Sequence, residues 1–312
     1  MRGESSSVWQ RASIFGVTCV ALLIVVYALA VFTVPGQRFE DAVLRAADAV
    51  AGSPEQAAAL NTLGLITVPT AVAGVLLVFL VGALRRRFLL ATLAVVAMAG
   101  AVVTTELIQR YGIRPILLQH GHRRYDQSFP SGHTTVATAL MCGLVLVAPY
   151  RFRGLTVALG LLFATGVGVA TVTASWHRPS DTIGATLIVV GYGCATVAVL
   201  TKFRRVRPAA LPTVLGRTLR VSLATVVAGV AVLSFAGAAV AVVIALRPAH
   251  ESGSVPATLA AGRLLALGAG ASAGAALLAL LRRVDIGAPP EPVNPSPSSA
   301  GRRRSGPARS TR

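Results

Sequence analysis

Charge is what this 312-residue chain has least of: Asp, Glu, Lys and Arg make up 13% of it, against roughly 25% in a soluble globular protein. So few charges cannot wet the surface of a soluble multidomain enzyme, which is therefore excluded. Cysteine is scarce too. Cys19, Cys142 and Cys194 all fall in apolar runs, without metal-ligand spacing and in odd number. That excludes a disulfide-stapled secreted fold, and the three read as small apolar fillers. Acidic residues number 11 against 29 basic ones, and Lys202 is the single lysine. The resulting net charge of +18 does not indicate a nucleic-acid partner, because the arginines come in short clusters between apolar runs. That is how a membrane protein marks its cytoplasmic loops.

What the chain has in abundance is apolar length. Apolar residues are 54% of it and the mean hydropathy is +0.70. A helix needs about 20 apolar residues to cross the hydrocarbon core. Eight stretches qualify: 13–34, 62–84, 88–109, 134–149, 154–174, 182–201, 221–246 and 257–281. The expected fold class is all-α, a polytopic membrane helix bundle with eight transmembrane helices. The first run is longer than the 7–15 residues of a signal-peptide core, so an uncleaved helix is expected. With the N-terminus cytoplasmic, 20 of the 29 basic residues lie inside. The inverted topology reverses that ratio, so both termini are expected to be cytoplasmic, in a plasma-membrane protein.

Three segments do not read as spans. Residues 35–60 place Phe39, Val43, Leu44 and Ala47 at helical spacing among charges, which predicts an amphipathic helix on the outer membrane surface. Residues 208–220 form a cytoplasmic linker. Residues 285–312, rich in Pro, Ser and Arg, are expected to be a disordered cytoplasmic tail whose arginines either contact anionic lipid or anchor topology. The division is thus 1–207, a six-span core; 208–284, two additional spans; and 285–312, the tail. In the last span, Gly270 and Gly274 read as helix-packing contacts, and Arg263 as a side chain snorkelling outward.

The chemistry gathers at the outer ends of spans three to six, where ionisable residues are functional candidates. In order these are Arg114-Pro115, Pro130-Ser131-Gly132-His133, and His177-Arg178-Pro179-Ser180-Asp181. Pro130 and Ser131 suit a first helical turn, leaving the N–H groups of Ser131, Gly132 and His133 free for an anion at the positive end of the helix dipole. Arg114 offers a planar fork that matches two phosphate oxygens. Asp181, four residues after His177, can orient its imidazole. Each element alone has a plainer reading. His133 could be an interfacial cap, His177 and Asp181 a capping pair, and Arg114 a headgroup anchor. Arg110 could pair with Glu106 at i,i+4 instead of serving the site. Arg123 and Arg124 could be a solvated loop face. His120 and His122 have no third ligand in view for a metal.

Together the three segments resemble the type-2 phosphatidic acid phosphatase family, which shares its signature with bacterial acid phosphatases and vanadium haloperoxidases. Its motifs are Lys-x6-Arg-Pro, Pro-Ser-Gly-His and Ser-Arg-x5-His-x3-Asp. The second is complete at 130–133, the His-x3-Asp falls at 177 and 181, and the Arg-Pro at 114–115, with the resemblance covering about residues 13–205. Leu107 stands at the motif Lys, and Ala170 and Thr171 at the motif Ser-Arg. Arg110, Arg178, Arg123 and Arg124 are the nearby cations that could substitute.

The resemblance implies a metal-independent hydrolase of phosphoric monoesters or diphosphates, with no cofactor, acting on a lipid phosphate at the extracytoplasmic face. His177 would be the nucleophile, oriented by Asp181. His133 would be the acid and then the base. Arg114, Ser131 and Gly132, with Arg110 and Arg178, would hold the phosphoryl oxygens. Polyprenyl and glycerolipid phosphates both fit as substrate partners beside the membrane lipids. Two alternatives stay open: a lipid phosphotransferase using the same site, and a non-hydrolytic lipid-binding or transport protein with a degenerate site. Packing, homodimerisation and lateral gating are the roles open to the two C-terminal spans.

Overall fold

Pro, Thr and Ser set the helix starts on one side of the bundle. In a computed structural model, residues 2–118, 126–209, 214–245 and 251–287 are described. His120, His122, Arg123, Arg124 and His250, and the tail from residue 288 onward, lie outside them. A long first helix, α1 (Arg2–Phe32), is followed by α2 (Val34–Asp48), α3 (Pro54–Gly64) and α4 (Val68–Leu84). Then come α5 (Phe88–Tyr111), α6 (Gly132–Val147), α7 (Arg153–Thr173) and α8 (Pro179–Lys202). The short strand β1 (Val206–Pro208) precedes α9 (Val214–Ala245) and α10 (Glu251–Leu280), and β2 (Val284–Ile286) closes the described chain. The chain is an all-α polytopic bundle, as its composition requires, and a multi-pass membrane protein.

Six of these helices are long and apolar enough to cross a membrane, or seven if α3 and α4 count as one span bent by 57°. The eight of the sequence reading are not reached, for two physical reasons. The run at 62–84 is interrupted where Thr67 caps a new helix: its Oγ1 accepts from Thr70 N–H while Thr70 Oγ1 accepts from Thr67 N–H, with Pro69 in the first turn. And α6 has only 16 residues, about 24 Å at 1.5 Å per residue, short of a core about 30 Å thick.

Large apolar side chains such as Leu76, Leu162 and Leu233 cover the outside of the bundle, more than 60% exposed, as lipid-facing residues should be. Inside, α6 and α8 are the most enclosed helices, each touching α5 and the other. Close crossings depend on small residues. A Cβ at Gly143 would stand 2.8 Å from Met98 Sδ and 3.1 Å from Val78 Cγ2, so α6 can approach α4 and α5 only as glycine allows.

The segment read as one amphipathic helix over 35–60 is two. Ser53 caps α3 by accepting from Gln56 N–H, and Gly52 takes the turn between the helices at φ 78°. Helix α2 buries Gln37, Glu40 and Asp41 along with its apolar residues, and packs against α1, α7, α8 and α10.

Helices α9 and α10 form an antiparallel pair, and α10 lies against α7, α8 and α2. A Cβ at Gly262 would meet Val43 Cγ1 at 2.5 Å and Pro179 Cγ at 3.3 Å, so α10 supports both α2 and the start of α8. Gly270 is packed on Thr165 of α7 and Gly274 on Leu161, which is the packing role read from their spacing. Arg263 extends to an exposed partner rather than to lipid headgroups. Its Nε donates to Thr173 Oγ1 at 3.0 Å and its Nη2 to Glu55 Oε2 at 2.8 Å, because α3 supplies an acid that the sequence reading had placed on the membrane surface. At the opposite end of the bundle, β1 and β2 pair antiparallel, with Val206 beside Ile286 and Pro208 beside Val284. There Arg87 holds both carboxylate oxygens of Asp285, each at 2.6 Å.

Candidate active site

Helices α6 and α8 begin side by side, and that juxtaposition builds the site. Ser131 caps α6, its Oγ accepting from Thr134 N–H at 3.3 Å. Its own N–H donates to the carbonyl of Asp181 at 2.9 Å, tying the first turn of α6 to that of α8. Gln109 near the end of α5 donates to the carbonyl of Pro130 at 2.5 Å and fixes the chain entering α6. On the other side, α7 ends in a turn at Ser175, φ 57°. The carbonyl of Thr171 accepts from the N–H groups of Trp176 and His177, at 3.0 and 3.2 Å, which folds His177 back over the bundle.

His177 Nδ1 lies 3.2 Å from Asp181 Oδ2. Asp181 is fully buried, and the same Oδ2 accepts from Arg178 N–H at 2.9 Å and from Ser128 Oγ at 2.7 Å. One oxygen thus receives three donors at a helix N-terminus, an arrangement that favours the carboxylate and fixes its direction. With Nδ1 engaged, Nε2 is the nitrogen left for chemistry. The ring of His133 lies 5.3 Å from that of Trp176, the residue that precedes His177.

Gly132 opens α6 with no neighbouring atom within 4 Å of where its Cβ would be. Its φ lies outside the left-handed region that favours glycine, so the backbone does not demand glycine there. What glycine provides is open space before the N–H groups of a helix end, which suits an anion.

The arginines behave differently from the sequence expectation. Arg114, in the chain leaving α5, donates through Nη2 to Glu40 Oε2 at 2.7 Å, with the side chains only 6% and 2% exposed. Its Nη1 is buried without a hydrogen-bond partner. Gln37 holds the same stretch, its Nε2 donating to the carbonyl of Pro115 at 2.7 Å and its Oε1 accepting from Leu117 N–H at 3.3 Å. Burial first, and then the negative charge of Asp181, push the Glu40 carboxyl up to about 7 against the pull of Arg114. Arg178 is 1% exposed and donates through Nη1 to Ser128 Oγ at 2.7 Å. Burial, then the positive charge of Arg114, lower its proton affinity.

Arg110 is not brought into this group. It is exposed at the end of α5, its guanidinium 5.8 Å from the Tyr111 ring centre, and it forms no ion pair with Glu106. Leu107 is exposed, and Thr171 is fully buried with its Oγ1 donating to the carbonyl of Gly168 at 2.8 Å. Ser128, Gln37, Glu40, Asp41 and Trp176 escaped the sequence reading. The acids of α2 carried a signal, being charges on the face that a membrane-surface helix would leave to water. Ser128 carried none. Among the described residues no group of three or more His, Cys, Asp or Glu is placed to hold a metal ion.

Residues 93–207, from α5 to β1, match the PAP2 superfamily. The match is to this stretch alone, well under half of the chain. It contains Arg114, Ser131, Gly132, His133, His177 and Asp181, and leaves α1–α4, α9 and α10 outside. Phosphatidylglycerophosphatase B of Escherichia coli (strain K12) and that of Shigella flexneri are each 36% identical to this chain over 103 residues. The alignment spans 33% of this chain and 39% of each relative, well under half of their length. No solved structure gives a significant match.

Proposed function

We propose that the chain is an integral membrane phosphatase that hydrolyses a lipid phosphate or pyrophosphate, polyprenyl or glycerolipid in class, through a phosphohistidine at His177. The observation that carries this reading is His177 held through Nδ1 by Asp181 beside the open N-terminus of α6. Nε2 of His177 attacks phosphorus as the P–O bond to the lipid breaks, and His133 protonates the departing oxygen. His133, now the base, takes a proton from water. The hydroxide attacks phosphorus, the P–N bond breaks, and inorganic phosphate leaves. Asp181 stabilises the charge that His177 gains in the first step.

The N–H groups opening α6, with the unpartnered Nη1 of Arg114, are the donors for the equatorial oxygens. Ser131 is not one of these donors, contrary to the sequence expectation, because its N–H is taken by the Asp181 carbonyl; it contributes by capping α6, which leaves the N–H groups of Gly132 and His133 for the anion. Arg178 acts through Ser128 on Asp181, as a positioning residue. A lipid phosphatase in the two relatives, and the PAP2 match here, support the same activity. The site lies at the ends of helices, which suits an amphiphile whose tail stays in the bilayer. The arginine distribution supports an extracytoplasmic site in the plasma membrane, cytoplasmic termini, and α6 counted as an eighth span. The six-span core and the C-terminal helix pair remain the division we propose, with a disordered tail that starts later than residue 285, since Asp285 and Ile286 pair with β1.

A non-hydrolytic lipid binder is favoured by one observation: Arg114 and Arg178 are both engaged by protein groups, Glu40 and Ser128. Phosphate release by the full-length protein in detergent, with chelator present, across polyprenyl and glycerolipid phosphates, separates the two. We expect turnover that falls by at least about 10³-fold in His177→Ala, and an alkali-stable, acid-labile phosphoryl group trapped on the native chain. Hydrolysis that survives in folded His177→Ala protein overturns the mechanism. No turnover on any lipid, from folded native protein, favours the binder.

A further inference from the structure

The end of the bundle away from His177 has more arginines than acids, with part of that positive charge buried. Helix α4 ends there, α7 begins there, and β1 and β2 close it. Between them and α9 lies a cavity of about 770 Å³ whose wall includes Arg85, Arg151, Tyr150, Arg220 and Asp285. Asp285 is the single carboxylate among the described lining residues, and both of its oxygens are taken by Arg87. Three arginines on the wall are therefore left without an acid.

Their environment deepens the excess. The Arg220 guanidinium stacks 3.6 Å from the centre of the Tyr150 ring and donates through Nη2 to the Tyr150 carbonyl at 2.7 Å, while its Nη1 is buried without a partner. Arg153, 4% exposed, lies 5.4 Å from the same ring, with Nε and Nη2 also buried and unpartnered. Two guanidiniums share one aromatic ring, which offsets part of their desolvation but supplies no anion. Burial, and then the charge of Arg87, also lower the proton affinity of Arg85. Beside these charges the wall is apolar, with Leu155 and Leu219 about 60% exposed on the outer faces of α7 and α9.

We propose that this cavity is a second lipid site, in which Arg85, Arg151 and Arg220 receive the phosphate headgroup of an anionic phospholipid whose chains lie along Leu155 and Leu219. Basic pockets between membrane helices are suited to such headgroups. The adjacent leucines distinguish a lipid from free phosphate, which would leave them uncovered. The site is distinct from the phosphohydrolase site in position and in chemistry, since a phosphodiester headgroup fits it and nothing there is placed to cleave one.

The test uses the full-length protein in neutral detergent with phosphatidylglycerol, phosphatidylcholine of equal chain length, or inorganic phosphate. Lipid retention is read by native mass spectrometry and thermal stability by a melting curve. Phosphatidylglycerol should be retained over phosphatidylcholine and raise the Tm, and the preference should fall about fivefold for each of Arg151→Gln and Arg220→Gln. It should survive in Arg114→Gln, which places it away from the candidate active site. Arg151 is exposed, so its variant tests the site without risk to the core. Equal retention of the two lipids, equal protection by inorganic phosphate, or an unchanged preference in the Arg151→Gln/Arg220→Gln double variant each overturns the proposal. Absence of phosphatase turnover would leave this result untouched.

Discussion

Ser128 Oγ donates to Asp181 Oδ2 at 2.7 Å, and that is the oxygen facing His177 Nδ1. Because Ser128 also accepts from Arg178 Nη1, a buried guanidinium is coupled to the carboxylate through one hydroxyl. The charge that steadies Asp181 therefore comes from a residue that the sequence suggested as a phosphate ligand.

Ser128→Ala should lower kcat by about 10- to 100-fold with little change in KM, since it loosens an orienting group and no substrate contact. Ser128→Thr, which keeps the hydroxyl, should recover most of the loss. A rise in KM at constant kcat would place Ser128 on the substrate.

Glu40→Gln should remove a pH dependence of stability. With its carboxyl at about 7 when folded against 4.5 ordinarily, the native state holds this proton more tightly than the unfolded chain does. Stability is then greatest below about 4.5, declines as pH rises toward 7 and levels off above it, a change of roughly 3 kcal/mol. Melting curves in detergent from pH 5 to 8 should slope downward for the native protein and lie flatter for Glu40→Gln. Equal slopes would assign the proton elsewhere.

Gly132→Val should fold, because no atom lies within 4 Å of the position its Cβ would take. It should raise KM about tenfold or more by filling the approach to the helix N-terminus. A Tm near that of the native protein with unchanged KM would show that the anion does not approach there.

Rebuilding the family motif should fail unequally at its two positions. Thr171→Arg places a cation where the side chain is fully buried and the backbone carbonyl holds Trp176 and His177. It should cost several kcal/mol or prevent folding. Leu107→Lys, at an exposed position on α5, should be tolerated, with a Tm within about 2 °C of native and turnover changed less than about threefold. A large gain in turnover from Leu107→Lys would show that the site lacks a cation which position 107 can supply.

The sequence made the apolar helices and the pairing of His177 with Asp181 legible, because apolar length and a spacing of four are local properties; His133, 44 positions before His177, was placed with them by the order of the motifs and their resemblance to a family pattern. It could not show that Glu40 would face Arg114, a contact across 74 positions, or that Ser128 would bridge Arg178 to Asp181. The break at Thr67 went unread, because hydropathy is continuous across it and only the capping contacts between Thr67 and Thr70 divide the run. Nor could the sequence name Glu55, 208 residues away, as the partner that Arg263 reaches. Spacing identifies which groups can react; it does not say which charges a fold has already neutralised.

The pairing of Arg87 with Asp285 joins positions 198 residues apart, and β2 follows the last helix. During synthesis, the end of the bundle near Arg85 therefore stays unlatched until almost all of the described chain has left the ribosome. The half that carries His177 is emitted earlier and must wait in the bilayer for α10, whose Gly262 rests on Pro179, before its geometry is backed from both sides.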